Sequence, residues 1–489
     1  MRKYILTALS IALLGFTSCS EDILDDINKD NQHPAPDVVP AYLQLTEAIM
    51  STGFSTVSGD YAFYTASLNE QEIGIGNNQL MRAELRNAGE WAASTTFNNV
   101  WNSTYSNLLN IRQIIHKITD EVPGNAGHYD LLGMAQVLEA LSFGVLTDMH
   151  GDIPYSEALQ GQANLQPKLD SQKDVYTGIL STLDDAITNL EKGKTADPKI
   201  QAAIKAQDIA FGGDVKQWMA TAYALKARYL LHQLAVDSNV LAQVENNAEK
   251  AKELGFKGFT IREFNGVTCD NPWSAFIFSR QYTAPSATVS KLMNATNDPR
   301  LAYYLNSKNE SYNPGDEEVA KIVDSSKLLY QPGWYLSGSQ PIHLFSKQEL
   351  YFILAEVQLR SGKDATTAFQ TAVETSISEI LSWFDDDTSA SEYTKSLGTP
   401  TLKTLFEQKY VAQSVDEQVE TYNDLRRVKA MGESYITLTN PKNTQGGINR
   451  YPERLPYGNS SVLGNLNVKA AYGDGTYIYS EKTWVNGKK

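Results

Sequence analysis

The sequence predicts a mostly α-helical protein, built of helical hairpins packed side by side into a superhelical body and interrupted by long irregular insertions. Apolar residues recur at steps of three and four through much of the chain, and residues that start and stop helices bracket those windows. Between the windows, near 60–95, 255–285, 300–345 and 435–489, lie stretches rich in Gly, Asn, Tyr and Pro. Insertions of that length inside a compact protein usually carry function.

The chain opens on a lipoprotein signal. Arg2 and Lys3 give a positive start, Tyr4 to Phe16 is uncharged and mostly apolar, and Phe16-Thr17-Ser18-Cys19 ends the run with small residues before a cysteine. The run is short for a mature membrane span, so residues 1–18 are expected to be removed and Cys19 to carry the lipid. The acidic Ser20-Glu21-Asp22 that follows resembles the surface-export signal of lipoproteins in the Bacteroidetes, which implies an outer-membrane protein facing the exterior. Residues 19–40, polar and broken by Pro34 and Pro36, read as a lipid-anchored tether to one helical domain, 41–489. Asp26, Asn28 and Asp30 alternate like the start of a calcium loop, but the glycine and the distal glutamate of that motif are missing, and no metal or cofactor is expected.

The helices follow in order. Leu131, Ala135, Leu138, Leu141 and Val145 form one apolar stripe over 129–147, and Trp218, Ala222, Leu225, Tyr229 and His232 form another over 214–235, with Asp214 as N-cap and Gln217 three residues on. Ser346 to Glu349 is a capping box opening a helix that stops at Gly362, and Ser414 to Glu417 opens one that runs to about Met431. In the hairpin 346–361 and 364–380, Ala365, Phe369 and Ala372 match the second helix of a tetratricopeptide repeat. Its first helix lacks the repeat's Trp and Gly, so the repeats are degenerate.

Composition narrows the function. Hydrophobic content of 42% and charged content of 20% suit a folded globular protein, and no stretch after the signal has the uninterrupted apolar length of a membrane span. Losing the two positive charges of Arg2 and Lys3 takes the formal charge from −15 to −17, which argues against nucleic acid as partner. With Cys19 acylated only Cys269 remains, so an intramolecular disulfide is excluded.

Several segments resemble one family, the SusD/RagB-like nutrient-binding lipoproteins of the outer membrane. They are Leu141 to Ala158, with its Gly151-Asp152-Ile153-Pro154-Tyr155 turn; Gly212 to Trp218; Asn297-Asp298-Pro299-Arg300; Asn423-Asp424-Leu425-Arg426-Arg427; and Asn449 to Tyr457, with an Arg-x-Pro-Tyr ending. The resemblance implies a helical body with four tetratricopeptide-like hairpins, docked on a SusC-like TonB-dependent transporter, and insertions that bind a glycan or a peptide.

Sugar recognition needs flat aromatic faces against the ring's C–H side, and amide or charged groups against its hydroxyls. The insertions offer such sets: Asn271, Trp273, Phe276, Arg280 and Tyr282; Trp334 and Tyr335; Asn77, Asn78 and Trp91. Trp273 and Trp334 are the leading candidates. Trp101 and Trp218 lie on helical stripes and belong to the core. Asp148, His150 and Asp152 lie close in sequence, but Gly151 and Pro154 break the helix there, so they read as a closed helix end. Arg426 and Arg427 are expected to pair with acids of neighbouring helices. No His-Glu-x-x-His, Gly-x-Ser-x-Gly or phosphate-cradling loop is present. The expected function is therefore non-catalytic binding of an oligosaccharide and its delivery to the transporter. Peptide or another nutrient as cargo, a glycoside hydrolase, or a protein-only scaffold are the alternatives.

Overall fold

The computed structural model describes residues 38–76, 78–322 and 327–487. The signal, Cys19, the tether up to residue 37, the triplet Asp26, Asn28 and Asp30, and Asn77 lie outside them. Among the described residues there are 21 α-helices and six strands, none longer than four residues, so the protein is mostly α.

The principal helices are α1 (Leu45–Ser51), α2 (Asp60–Leu68), α3 (Asn98–Thr119), α4 (Tyr129–His150), α5 (Gln172–Glu191), α6 (Val215–His232), α7 (Leu241–Glu253), α8 (Pro272–Arg280), α9 (Lys347–Arg360), α10 (Thr366–Ser382), α11 (Leu402–Ala412) and α12 (Gln418–Ala430). They pack as a running array: α3 on α4, α4 on α5, α5 on α6, α6 on α7, α7 on α9 and α9 on α10. Two glycines set the spacing at α4, because a Cβ at Gly133 would overlap Leu190 of α5 and one at Gly144 would overlap the Tyr229 ring of α6. Helix α4 has the length and mean hydropathy of a membrane span, although Glu139 and Asp148 interrupt its apolar run, and 89% of its most apolar stretch is buried inside the protein. It is the central core helix.

The insertions are stitched together by short antiparallel strands. Strand β1 (Glu72–Gly74) pairs with β3 (Thr283–Pro285), β2 (Phe259–Ile261) with β4 (Ile342–Phe345), and β5 (Thr444–Gln445) with β6 (Ile448–Asn449).

Several boundaries differ from the sequence reading; the insertion near 255–285, for one, contains α8. The stretch 60–95 was expected to be irregular, yet it contains α2, whose residues Tyr61 to Leu68 are all buried. A helix without a polar face shows no amphipathic period. Helix α12 begins at Gln418 rather than at Ser414, because Ser414 Oγ donates to the Tyr410 carbonyl (2.8 Å) and Glu417 accepts from Ser346 N (2.8 Å) and Oγ (2.7 Å). Asp214 and Ser346 do cap α6 and α9. Their box partners serve elsewhere: Gln217 bridges Gly255 O (2.9 Å) and Lys257 N (3.1 Å), and Glu349 binds Arg228.

Buried charges lock α12 into the array. Arg427 forks onto both oxygens of Glu356 on α9 (2.7 and 2.8 Å), Asp424 lies 2.6 Å from Lys409 of α11, and Glu420 lies 2.9 Å from His232 of α6. The other ring nitrogen of His232 lies 3.3 Å from Asp148 of α4. Just before α12, Asp416 lies 2.8 Å from His343, whose second nitrogen is 3.0 Å from Glu379 of α10. An imidazole with acceptors at both nitrogens is held as the cation. Burial opposes that, but Asp148 and Glu420 win and push the pKa of His232 up to about 9. A raised folded-state pKa stabilises the fold fully below the unfolded value near 6.5 and loses that effect as pH rises through about 9, on the order of 3 kcal/mol for one such group. Urea midpoints measured at both ends of that window should therefore fall further with rising pH in the wild type than in His232→Gln; parallel profiles would refute the assignment.

Candidate functional site

The structure sorts the candidate contacts into two layers. Asn271, Trp273, Trp334 and Tyr335 form the inner one and are 2%, 1%, 0% and 1% exposed. Asn271 caps α8, accepting from Trp273 N (2.7 Å) and donating to Gln340 O (2.8 Å). The Trp273 ring stacks on Tyr335 (4.9 Å, 12°), Trp334 packs on Tyr304 (4.5 Å), and the Tyr335 hydroxyl donates to Val415 O (2.6 Å). None of the four offers a face to a ligand here, which corrects the leading place given to the two tryptophans. Large rings gain more from burial beneath an insertion than from lying on it. Asn78 is also internal: its Oδ1 accepts from Leu80 N (2.9 Å) and its Nδ2 donates to Ile75 O (2.7 Å). Trp91 is fully buried, its Nε1 donating to Ala83 O (3.1 Å).

The inner layer supports an outer one through an unbroken series of aromatic contacts. Trp273 meets Phe63 edge-on (4.4 Å), Phe63 stacks on Phe276 (4.0 Å, 18°), and Phe276 meets Tyr282 edge-on (5.7 Å). Phe276 and Tyr282 are half-buried, while Phe278 (44% exposed) and Arg280 stand out into solvent at the end of α8. Gln281, at φ +57°, turns the chain back so that Tyr282 O accepts from Ile75 N (2.7 Å). Gly76, at φ +94°, closes the turn opposite, where a side chain would press on Asn78 and the Tyr282 ring. The result is a firm aromatic face edged by one free-standing guanidinium, suited to stacking and hydrogen bonding.

Phe278 went unnoticed in the sequence. The signal was there: Asn271-Pro272 is an N-cap and N1 pair, and a helix from Pro272 puts Trp273 and Ile277 on one side and Ala275, Phe278 and Ser279 on the other.

Two polar groups resemble chemistry without supplying it. Asp148, His150 and Asp152 point to three different places: Asp148 to Tyr176 and Asn423, His150 Nε2 to Tyr61 Oη (2.5 Å), and Asp152 to Gln172 N (2.9 Å). Burial brings the His150 pKa down to about 3, so it is neutral. Asp148, His232 and Glu420 lie close enough to hold a metal, but both His232 nitrogens are occupied by acceptors and Arg228 approaches Glu420 within 3.8 Å. A metal would need the lone pair that the proton of His232 occupies, so the cluster is an ion-pair knot.

A helical-repeat body whose insertions present a braced aromatic face defines a binding scaffold. The family model described as starch-binding and associating with the outer membrane, SusD-like, matches residues 55–457, and the chain belongs to that family. It is similar to a SusD/RagB family protein of Bacteroides thetaiotaomicron at 32% identity and a TM-score of 0.79, covering 92% of this chain and 100% of that one. It also resembles a SusD homologue of Bacteroides fragilis (20% identity, TM-score 0.69, 92% and 100% covered) and a chitin-binding SusD homologue of Flavobacterium johnsoniae (20% identity, TM-score 0.61, 88% and 99% covered). The last two are too distant to show more than the fold. No curated protein matches the chain.

The two layers should separate by mutation. Trp273→Ala is expected to destabilise the protein by about 3–5 kcal/mol through the cavity it leaves, whereas Phe278→Ala should shift stability by no more than about 0.5 kcal/mol. Thermal or urea unfolding reads both, and comparable losses would contradict the layering.

Proposed function

We propose that the protein is a surface lipoprotein, anchored to the outer membrane through Cys19, that binds oligosaccharide without chemical conversion and passes it to a SusC-like TonB-dependent transporter. The observation that carries the reading is the face of Phe276 and Tyr282, with the exposed Arg280 beside it, held firm by the stack beneath. Rings stack on the C–H side of a sugar while the guanidinium donates to its hydroxyls, and neither contact needs a group that titrates near neutrality. Membership of a family described as starch-binding and outer-membrane-associated supports the reading, and the chitin-binding relative shows that the fold can serve such a ligand.

Calorimetry of residues 20–489 against a panel of neutral oligosaccharides tests it. Saturable binding to one sugar class is expected, with unchanged sugar recovered afterwards. Tyr282→Ala should weaken that binding about tenfold or more, at roughly 1–3 kcal/mol per stacked ring, with helix content intact. Product formation would point to a hydrolase. Undiminished affinity in Tyr282→Ala would remove the face from the reading.

A further inference from the structure

A second concavity lies between the end of α12, the extended segment 433–438 and the hairpin of β5 and β6. It has a volume of about 380 Å³, and its walls include Leu425, Ile436 and Leu438 on one side and Asn443, Thr444 and Tyr451 on the other. That size and mixture of apolar and polar surface suit a small ligand.

The unusual feature of this cleft is its charge. Arg426 lines it, is 2% exposed, and has no carboxylate within ion-pairing distance among the described residues. Its donors go to Tyr422 O (3.2 Å), Glu453 O (3.1 Å), Asp148 O (2.9 Å) and Asn423 Oδ1 (2.6 Å), all neutral acceptors. Arg450, between the lining residues Asn449 and Tyr451, also lacks an acid partner, and its Nε is buried without any acceptor. The Tyr451 hydroxyl is likewise buried and unbonded. Nearby acids do not make up the balance. Glu433, which itself lines the cleft, is taken by Arg360 (2.7 Å), and Glu453 by Lys429 (2.6 Å). A buried cation without a counter-charge and a buried hydroxyl without a partner are each costly, and one anionic oxygen placed between them would answer both.

We propose that this cleft is a second saccharide subsite, selective for a sugar that carries a carboxylate, a hexuronic acid unit. The carboxylate accepts from the Tyr451 hydroxyl and offsets Arg426 and Arg450, while the ring packs on the apolar wall. The inference rests on the glycan-binding reading and adds an acidic class of ligand at a different place.

The test is calorimetry of residues 20–489 with a dimer of galacturonic acid and with the galactose dimer of the same linkage, at low and high salt. The acidic dimer should bind at least tenfold more tightly than the neutral one, and more weakly in high salt as screening would require. Tyr451→Phe, which removes only an unbonded hydroxyl and should leave stability unchanged, should weaken the acidic dimer about tenfold. Arg450→Gln should remove most of the salt dependence, and Tyr282→Ala should change neither. Equal affinity for the two dimers, or a loss caused by Tyr282→Ala and not by Tyr451→Phe, overturns the proposal. Neutral oligosaccharides binding the aromatic face with no uronate bound at all would sink the cleft and leave the broader function standing. Uronate binding at the cleft with no neutral sugar on the aromatic face would leave the cleft standing and remove the face from the reading.

Discussion

The structure depends on one constraint, that a charge buried in a protein must be met by an opposite charge or by oriented dipoles. Helix α12 and the turn before it concentrate that requirement. Asp416, Glu417, Glu420, Asp424, Arg426 and Arg427 are all buried, and they reach partners on α4, α6, β4, α11 and α9 with its cap Ser346. Residues 416–427 can thus occupy only one position relative to the array, since sliding by a single turn would strand several charges at once. Such pairs add little net stability beyond what apolar residues would give, because desolvation offsets most of their attraction. What they supply here is registry, and registry places everything that leaves α12: the segment 433–438, the hairpin of β5 and β6, and the stretch 449–457 that returns to α4 through Leu455 N and Met149 O (2.7 Å).

The aromatic face uses an apolar version of the same logic. A ligand that stacks on a loop ring must hold that ring still, and ordering a mobile side chain subtracts from affinity. Here Phe276 and Tyr282 are already held from behind by Phe63, Trp273 and Tyr335, and Tyr335 is tied in turn to the turn before α12 through Val415 O. The surface is therefore preorganised by its interior, and the buried tryptophans act on any ligand only through the rings they support.

That arrangement explains what the sequence could and could not reveal. Stripes such as Leu131 to Val145, and caps such as Asp214 and Ser346, are local signals, and they located the helices to within a few residues. The sequence also singled out the insertion that carries Arg280, which is exposed, and Tyr282, which is half-buried. It ranked the wrong rings within it, because whether Trp273 or Phe278 meets solvent depends on Phe63, more than two hundred positions away in the chain. Helix α2 was hidden for the opposite reason: buried all round, it has no polar face and so no period. The start of α12 was misplaced because Glu417, an apparent capping residue, is claimed by Ser346 from another helix.

The two adjacent arginines of α12 show most clearly where pairing rules stop and function can begin. Both were expected to meet acids. Arg427 does, with ideal forked geometry on Glu356, while Arg426, pointing to another side of the helix, meets carbonyls, an amide and the face of the Tyr422 ring (3.8 Å). Acids are not scarce in a chain with 57 of them against 42 lysines and arginines, so the lack of one beside Arg426 is a local property of that site. A stability requirement alone would favour a carboxylate there, or an apolar residue in place of the arginine. A buried cation left to dipoles, on the wall of an open cleft and near a hydroxyl with no partner, is the arrangement a carboxylate-bearing ligand would complete.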